Sequence, residues 1–385
     1  MSSARWLWLV WSLLCVGCKD LGVSDMRFAC DPGEGDGPCG PGCRCVPVQM
    51  RPYAGVCECG QALVPEPVVP DSAVAEAKDV EECVPACAGR ECGDDGCGGT
   101  CGVCSGDETC KDGRCVVVER CPGGFCVVPA GPFRMGCNTA IDGQCDSDEL
   151  PQHEVILSAF EIARHEVTVG DYASCLACSP PGTGPFCNSE ANGKWDHPVN
   201  CVNWDQAASY CEFIGRRLCT EAEWEKAARG GCEVLGACGV DERIYPWGNK
   251  APADAALELG APVGNFKDAT CVGTYPELGP GIEGYDDGYA GTSPAESFWA
   301  GASPYGVMDM AGNVAEWVAD PYDGAAYEQC KNGCSDPQGP AGGNTRVVRG
   351  GSFKSTAKAV RASARDQSYP WTGDATIGFR CCGSL

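Results

Sequence analysis

A chain of 385 residues is long enough for about two domains, and a net charge of -25 excludes nucleic acid and anionic membrane surfaces as partners. Its 33 cysteines exclude a reducing compartment, where most of them would stay free thiols. What remains is an exported, disulfide-bonded protein; an acidic surface suits one that uses calcium, and a well-solvated surface explains it equally well.

The first stretch concerns export. Arg5 precedes an apolar run from Trp6 to Val16, too short to cross a bilayer and the length of a signal-peptide core. The run ends Leu14-Cys15-Val16-Gly17-Cys18, which resembles a bacterial lipoprotein cleavage site with Cys18 as the lipidated residue, although Cys15 stands where leucine is usual. Ordinary secretion with cleavage near Gly17 is the alternative. The expectation is an outer-membrane lipoprotein, in the cell envelope or outside the cell, that meets the membrane only through its anchor. Removing Cys15 and Cys18 from 33 leaves 31 cysteines, an odd number, so one thiol is expected free or bonded to another chain.

Residues 19–60 carry Cys30, Cys39, Cys43, Cys45, Cys57 and Cys59 among glycine and proline, with few large apolar residues. Disulfides must stand in for a core there. Residues 61–82 contain no cysteine and carry Pro65, Pro67 and Pro70, the composition of an extended linker. A second cysteine module occupies 83–120. Its cysteines at 83, 87, 92, 97, 101, 104, 110 and 115 allow many pairings, and Cys101-x-x-Cys104 has zinc-ligand spacing. No histidine lies nearby, so a disulfide-stapled spacer is the preferred reading.

Residues 121–385 have the texture of a globular domain. Val127-Val128, Phe133 to Met135, Val155 to Leu157, Phe160 to Ile162 and Glu166 to Thr168 read as short strands broken by turns. Two helices carry start and stop signals. Asn203 with Gln206, and Thr220 with Glu223, make capping boxes, and Gly215 and Gly230-Gly231 end the segments that follow. Beyond Gly231 lie Gly-, Pro- and Asp-rich loops with little periodicity, whose polar backbone needs ions or disulfides to satisfy it. Among them Tyr305 to Asp320, YGVMDMAGNVAEWVAD, sets hard-oxygen donors Asp309 and Glu316 around Gly312. That is how a chain wraps calcium, and Val307, Met308, Met310, Val314, Trp317 and Val318 would bury its flanks.

Nine motifs in one order resemble the formylglycine-generating enzyme, or sulfatase-modifying factor, family. They are MGC at Met135, ELPQHEV at Glu149, EVTVGDY at Glu166, HPVNCVNWDQAASYC at His197, RLCTEAEWEKAARGG at Arg217, YPWGN at Tyr245, YGVMDMAGNVAEW at Tyr305, RVVRGGSF at Arg346 and GFRC at Gly378. The resemblance implies an α+β, C-type-lectin-like fold with little regular secondary structure, behind loop-dominated, disulfide-rich N-terminal modules. It also implies two structural calcium ions. Asn265, the Phe266 carbonyl, Asp287 and the Tyr289 carbonyl match the first site; Asp309, the Gly312 and Val314 carbonyls and Glu316 match the second.

The family's enzymes bind copper(I) through two cysteines after RGGS, and Ser355 and Val360 occupy those positions here. Neither side chain suits a soft metal, so copper is not expected. Ser352 matches a pocket serine of the family, and Ala315 replaces the tryptophan of the usual GNVWEW. Cys175-x-x-Cys178 and the vicinal Cys381-Cys382 have redox spacing, but structural disulfides are the preferred reading. His153, His165 and His197 are read as structural. The reading is a catalytically silent binding or structural module for a protein, peptide or glycan ligand. The alternative is a formylglycine-generating, sulfatase-activating oxidase or another enzyme of the family.

Overall fold

The computed structural model describes residues 120–235 and 243–385, together with strands at Ala29–Cys30, Cys43–Pro47, Gly55–Cys59, Glu108–Lys111 and Arg114–Val117. The signal and lipidation segment with Cys18, the Pro-rich linker and most of the second cysteine module lie outside the described residues. The chain divides into a unit of residues 1–82 and a unit of residues 83–385. In the first, β1 (Ala29–Cys30), β3 (Gly55–Cys59) and β2 (Cys43–Pro47) form an antiparallel sheet in that order, with Cys43 opposite Cys59 and Cys45 opposite Cys57. The second opens on the hairpin β4 (Glu108–Lys111) and β5 (Arg114–Val117).

The alternating apolar residues after Cys121 fold as expected into β6 (Phe125–Val128), β7 (Gly131–Met135), β8 (His153–Leu157) and β9 (Phe160–Ala163). In β8, His153, Val155 and Leu157 are buried while Glu154 and Ile156 face out, the period of a half-buried strand. Glu166 to Thr168 differs from its expectation. Thr168 is the N-cap of α1 (Val169–Ala173), exchanging hydrogen bonds with Asp171 in a capping box. The local cap outweighs the β-branched run. Both predicted helices form behind their capping boxes, α2 at Trp204–Phe213 and α3 at Glu221–Arg229. Their closing glycines, Gly215 and Gly230, have positive φ.

Past α3 the chain is less irregular than its composition suggests. After the short α4 (Cys232–Leu235), Pro252 opens α5 (Pro252–Leu259), and Asp268 caps α6 (Ala269–Thr274) through the amide of Cys271. Proline at the first turn and an aspartate cap were readable signals hidden in a loop-like composition.

One four-stranded sheet runs in the order β14 (Arg365–Ser368), β13 (Arg346–Arg349), β11 (Ala315–Pro321), β15 (Ile377–Phe379). A second sheet joins β10 (Arg217–Leu218), β16 (Cys381–Ser384), β9 and β6, and a third joins β12 (Cys334–Ser335), β8 and β7, with the short helix α7 (Ala326–Cys330) before β12. Trp224 of α3 and Trp317 of β11 are fully buried in two adjoining apolar clusters. Cys211 of α2 and Cys219 before α3 bond to the vicinal Cys381 and Cys382, stapling both helices to the last strand. Cys175 bonds to Cys178. Both redox-spaced pairs are therefore structural disulfides. Among the described residues Cys271 carries a free, buried thiol.

Buried arginines sit in networks with carboxylates. Arg349 is wholly enclosed and bonds Glu225 at 2.6 Å, while Arg361 bonds Glu149 and, at 2.9 Å, Asp142. Such pairs do little for net stability, but breaking one strands a charge in a low dielectric.

Candidate functional site

The loop from Tyr305 enters the core with Val307, Met308, Met310, Val314, Trp317 and Val318 all buried, as its pattern requires. Its tight path forces left-handed backbone on Asp309 and Asn313, at φ 57° and 56°. Gly312 has φ 85°, and a Cβ there would lie 2.2 Å from the Asn265 carbonyl oxygen, so only glycine fits. Asn265 pairs with Gly312 in a parallel bridge, and the Asn313 amide donates to the Asn265 carbonyl at 2.8 Å. The two expected ion loops are thus in direct contact.

In the first set, Asn265 and Phe266 are fully buried and Asp287 nearly so. Asp287 accepts the amides of Phe266 at 2.8 Å and Tyr289 at 2.9 Å, and burial pushes its carboxyl up to about 7. The side-chain oxygen of Asn265 is buried and has no hydrogen-bond partner among the described residues. An orphaned carbonyl oxygen beside a desolvated carboxylate is a donor set that fits a hard cation.

In the second set, Asp309 accepts the Glu296 amide at 2.7 Å, and burial pushes its carboxyl up to about 6. Glu316 is held by Arg380 through two contacts of 2.7 Å and by the Trp224 indole at 2.8 Å, so much of its acceptor capacity is engaged. Val314 presents its amide 3.5 Å from Glu166. Glu166 was not singled out from the sequence. It is fully buried, and burial together with Asp309 raises its carboxyl well above the usual range. One guanidinium, Arg380, thus faces the three buried carboxyls Glu166, Asp309 and Glu316. The excess negative charge also fits a cation. The EVTVGDY and GFRC motifs carried Glu166 and Arg380, but their meeting is purely tertiary.

The two loops brace a cleft. Gly312 donates to the Gly350 carbonyl at 2.9 Å, Phe353 to Asn313 at 2.9 Å, and Lys267 to the Ser355 carbonyl at 3.0 Å. The cleft measures about 400 Å³ and is lined by Ser352 and Ser355 on one turn, Ala315 and Ile377 on the sheet, and Asp366 and Gln367 of β14. Phe353 turns into the core and leaves the space open, while Lys354 remains on the wall above the Phe186 ring at 4.7 Å. Lys358 is paired with Asp146 at 2.8 Å and Arg365 with Glu221 at 2.7 Å. The Ser352 amide donates to the Ser355 hydroxyl at 3.0 Å, so that hydroxyl serves the turn.

Ser355 and Val360, apart in sequence, flank one glycine. A Cβ on Gly351 would lie 2.9 Å from Val360 Cγ1 and 3.1 Å from Ser355 Oγ. Val360 is fully buried. The described lining holds no histidine and no cysteine. A hydroxyl and an isopropyl group do not fit copper(I). The histidines lie elsewhere in structural roles. His153 packs edge-on against Tyr327 with Nδ1 2.9 Å from the Pro151 carbonyl, and His165 has Nδ1 2.7 Å from the Glu166 carbonyl. His197 Nδ1 meets the Thr292 hydroxyl at 3.0 Å, and burial with nearby Lys194 lowers it to about 4.

Short twisted sheets, capped helices and a cleft raised on a Gly-Gly-Ser turn define a mixed α+β domain of the formylglycine-generating type. The model of the sulfatase-modifying factor enzyme 1-like domain matches residues 117–385, and the chain belongs to that family. It is 31% identical over 305 residues to the formylglycine-generating enzyme of Thermomonospora curvata, covering 67% of this chain and 92% of that one. It is 33% identical over 276 residues to a protein of Chlamydia pneumoniae named serine/threonine-protein kinase pkn1, covering 67% of this chain and 38% of that protein's length. In fold it is similar to PvdO of Pseudomonas aeruginosa, with a TM-score of 0.51 and 24% identity over 68% of this chain and 94% of that one.

Proposed function

We propose that this chain is an exported, lipid-anchored protein whose family domain is a calcium-stabilised binding module without oxidase activity. One observation carries the reading. The two side chains that converge on Gly351 are Ser355 and Val360, while the cleft beside them stays open. A scaffold that keeps its cleft and lacks the thiolates for the metal keeps the means to bind and not the means to oxidise. The orphaned Asn265 oxygen and the excess of buried carboxyls around Arg380 support calcium at the two loops bracing that cleft. The Cys18 motif supports the anchor.

The test offers the purified protein copper(I), oxygen and a peptide bearing Cys-x-Pro-x-Arg, the sulfatase motif. The peptide is expected back unchanged. Aldehyde formation at its cysteine establishes the oxidase instead.

A further inference from the structure

The edge strand β14 leaves the cleft with Asp366 and Gln367 in its wall and runs directly into Tyr369-Pro370-Trp371. Tyr369 and Trp371 stack with ring centroids 4.8 Å apart and 16° between planes, yet remain 52% and 68% exposed. A protein gains by burying such rings, so a stacked pair held in water, with its outer faces open, indicates a surface kept for a ligand. The pair is fixed in place. Thr372 donates to the Tyr369 carbonyl at 2.9 Å, the Trp204 amide at the start of α2 donates to the Pro370 carbonyl at 2.9 Å, and Cys201 donates to Asp374 at 2.9 Å. Gly373 packs so closely that a Cβ there would lie 2.7 Å from the Cys201 carbonyl oxygen.

The surroundings select among ligands. An edge strand ordinarily invites an added peptide strand. Here the Gln367 amide is occupied by the Asp366 side chain at 2.7 Å, which blunts the edge. Of the three cleft cations, Lys358 and Arg365 are spent on Asp146 and Glu221 and Lys354 lies against the Phe186 ring, and the chain is strongly acidic, so an anionic ligand is disfavoured. Asp366 Oδ2, the side-chain nitrogen Nε2 of Gln367, the Tyr369 hydroxyl and the Trp371 indole N–H sit on exposed side chains open to a ligand, while Gln367 Oε1 accepts the Thr345 hydroxyl at 2.6 Å. Acceptors and donors beside a flat aromatic face suit a ring with apolar C–H faces and a hydroxylated rim. Three steps of extended chain lead from Asp366 to Tyr369, about 10 Å, enough for two such rings.

Resting on the reading of this domain as a binding module, we infer that Tyr369 and Trp371, with Asp366 and Gln367, form a platform for an uncharged oligosaccharide that continues into the cleft. The full chain is titrated with neutral hexasaccharides (cello-, xylo-, manno-, malto- and chito-series), with a heparin hexasaccharide and with the Cys-x-Pro-x-Arg peptide, following tryptophan fluorescence and calorimetric heat. At least one neutral hexasaccharide is expected to bind. Trp371→Ala and Tyr369→Ala should each weaken it tenfold or more, and Gln367→Ala three- to tenfold, with unchanged melting temperatures because all three sites are at the surface. Failure of every neutral probe overturns the inference, as does binding of heparin or peptide alone, or neutral binding undiminished in Trp371→Ala. Ser352→Trp, which fills the cleft, separates the two readings: ligand lost in that variant but kept in Trp371→Ala removes the platform and leaves the binding module standing.

Discussion

The Lys267 amide donates to the Ser355 carbonyl at 3.0 Å, joining the first expected ion loop to the residue that stands where the family's enzymes carry a metal thiolate. Together with the Gly312–Gly350 and Asn313–Phe353 hydrogen bonds, it makes the floor of the cleft depend on both loops.

Removing calcium should therefore loosen the cleft as well as lower stability. A site held at a hundredfold excess over its Kd contributes about 3 kcal/mol. Chelation is expected to lower the melting temperature by several degrees, and hydrogen exchange at the Lys267 and Phe353 amides should accelerate. An unchanged melting temperature and unchanged exchange argue against structural calcium.

The convergence of Ser355 and Val360 on Gly351 predicts that the metal site can be rebuilt. The double variant Ser355→Cys, Val360→Cys should bind one copper(I) in competition with a colorimetric chelator, while each single variant, with one thiolate, should bind far more weakly. Equal binding by all three would show that the two positions do not meet.

The two long disulfides should be strongly non-additive. Cys211–Cys381 and Cys219–Cys382 close 170 and 163 residues, but each lies beside the other. Cutting one leaves the other holding nearly the same loop, so a single serine pair should cost only the closure of a short loop, about 3 kcal/mol. Cutting both releases the long loop as well and should cost about 8 kcal/mol, more than twice a single cut. Denaturant unfolding of the three variants measures this.

Asp320 gives a pH dependence of definite sign. Burial pushes its carboxyl up to about 7, with Glu221 adding to the rise, and it accepts the Glu221 amide at 2.8 Å. Its folded-state value lies above the unfolded one, so the folded protein binds the extra proton and loses stability as pH rises from about 4 to 7. The slope approaches about 1.4 kcal/mol per pH unit. Asp320→Asn keeps an acceptor for the amide and should become more stable than the parent above pH 7, with the difference vanishing near pH 4. A constant difference across that range would show that Asp320 does not titrate there.

Glu225→Ala tests the buried network. It leaves Arg349 enclosed beside Glu221 alone and should cost about 3 to 5 kcal/mol in urea unfolding. Lys331→Ala, at an exposed pair with Glu328, should cost well under 1 kcal/mol.

What the sequence determined by itself was local or cumulative. The capping boxes at Asn203 and Thr220 act across three residues, Gly312 answers to its own backbone angle, and nine ordered motifs identify the family. The absence of thiols at Ser355 and Val360 is likewise plain from the letters. Local signals were overlooked where composition masked them, as at Pro252 and Asp268, or where a β-branched run hid a cap, as at Thr168. Only the tertiary structure decided which distant residues meet, Arg380 with Glu316, Glu166 with Asp309 and Cys211 with Cys381, and that the nearby Ser355 and Val360 both turn toward Gly351. The reason is physical. Caps and turns are settled by energies between neighbours along the chain, whereas buried charges and disulfides are settled by the packing of segments that the chain brings back from far along its length, which leaves no period or spacing in the sequence.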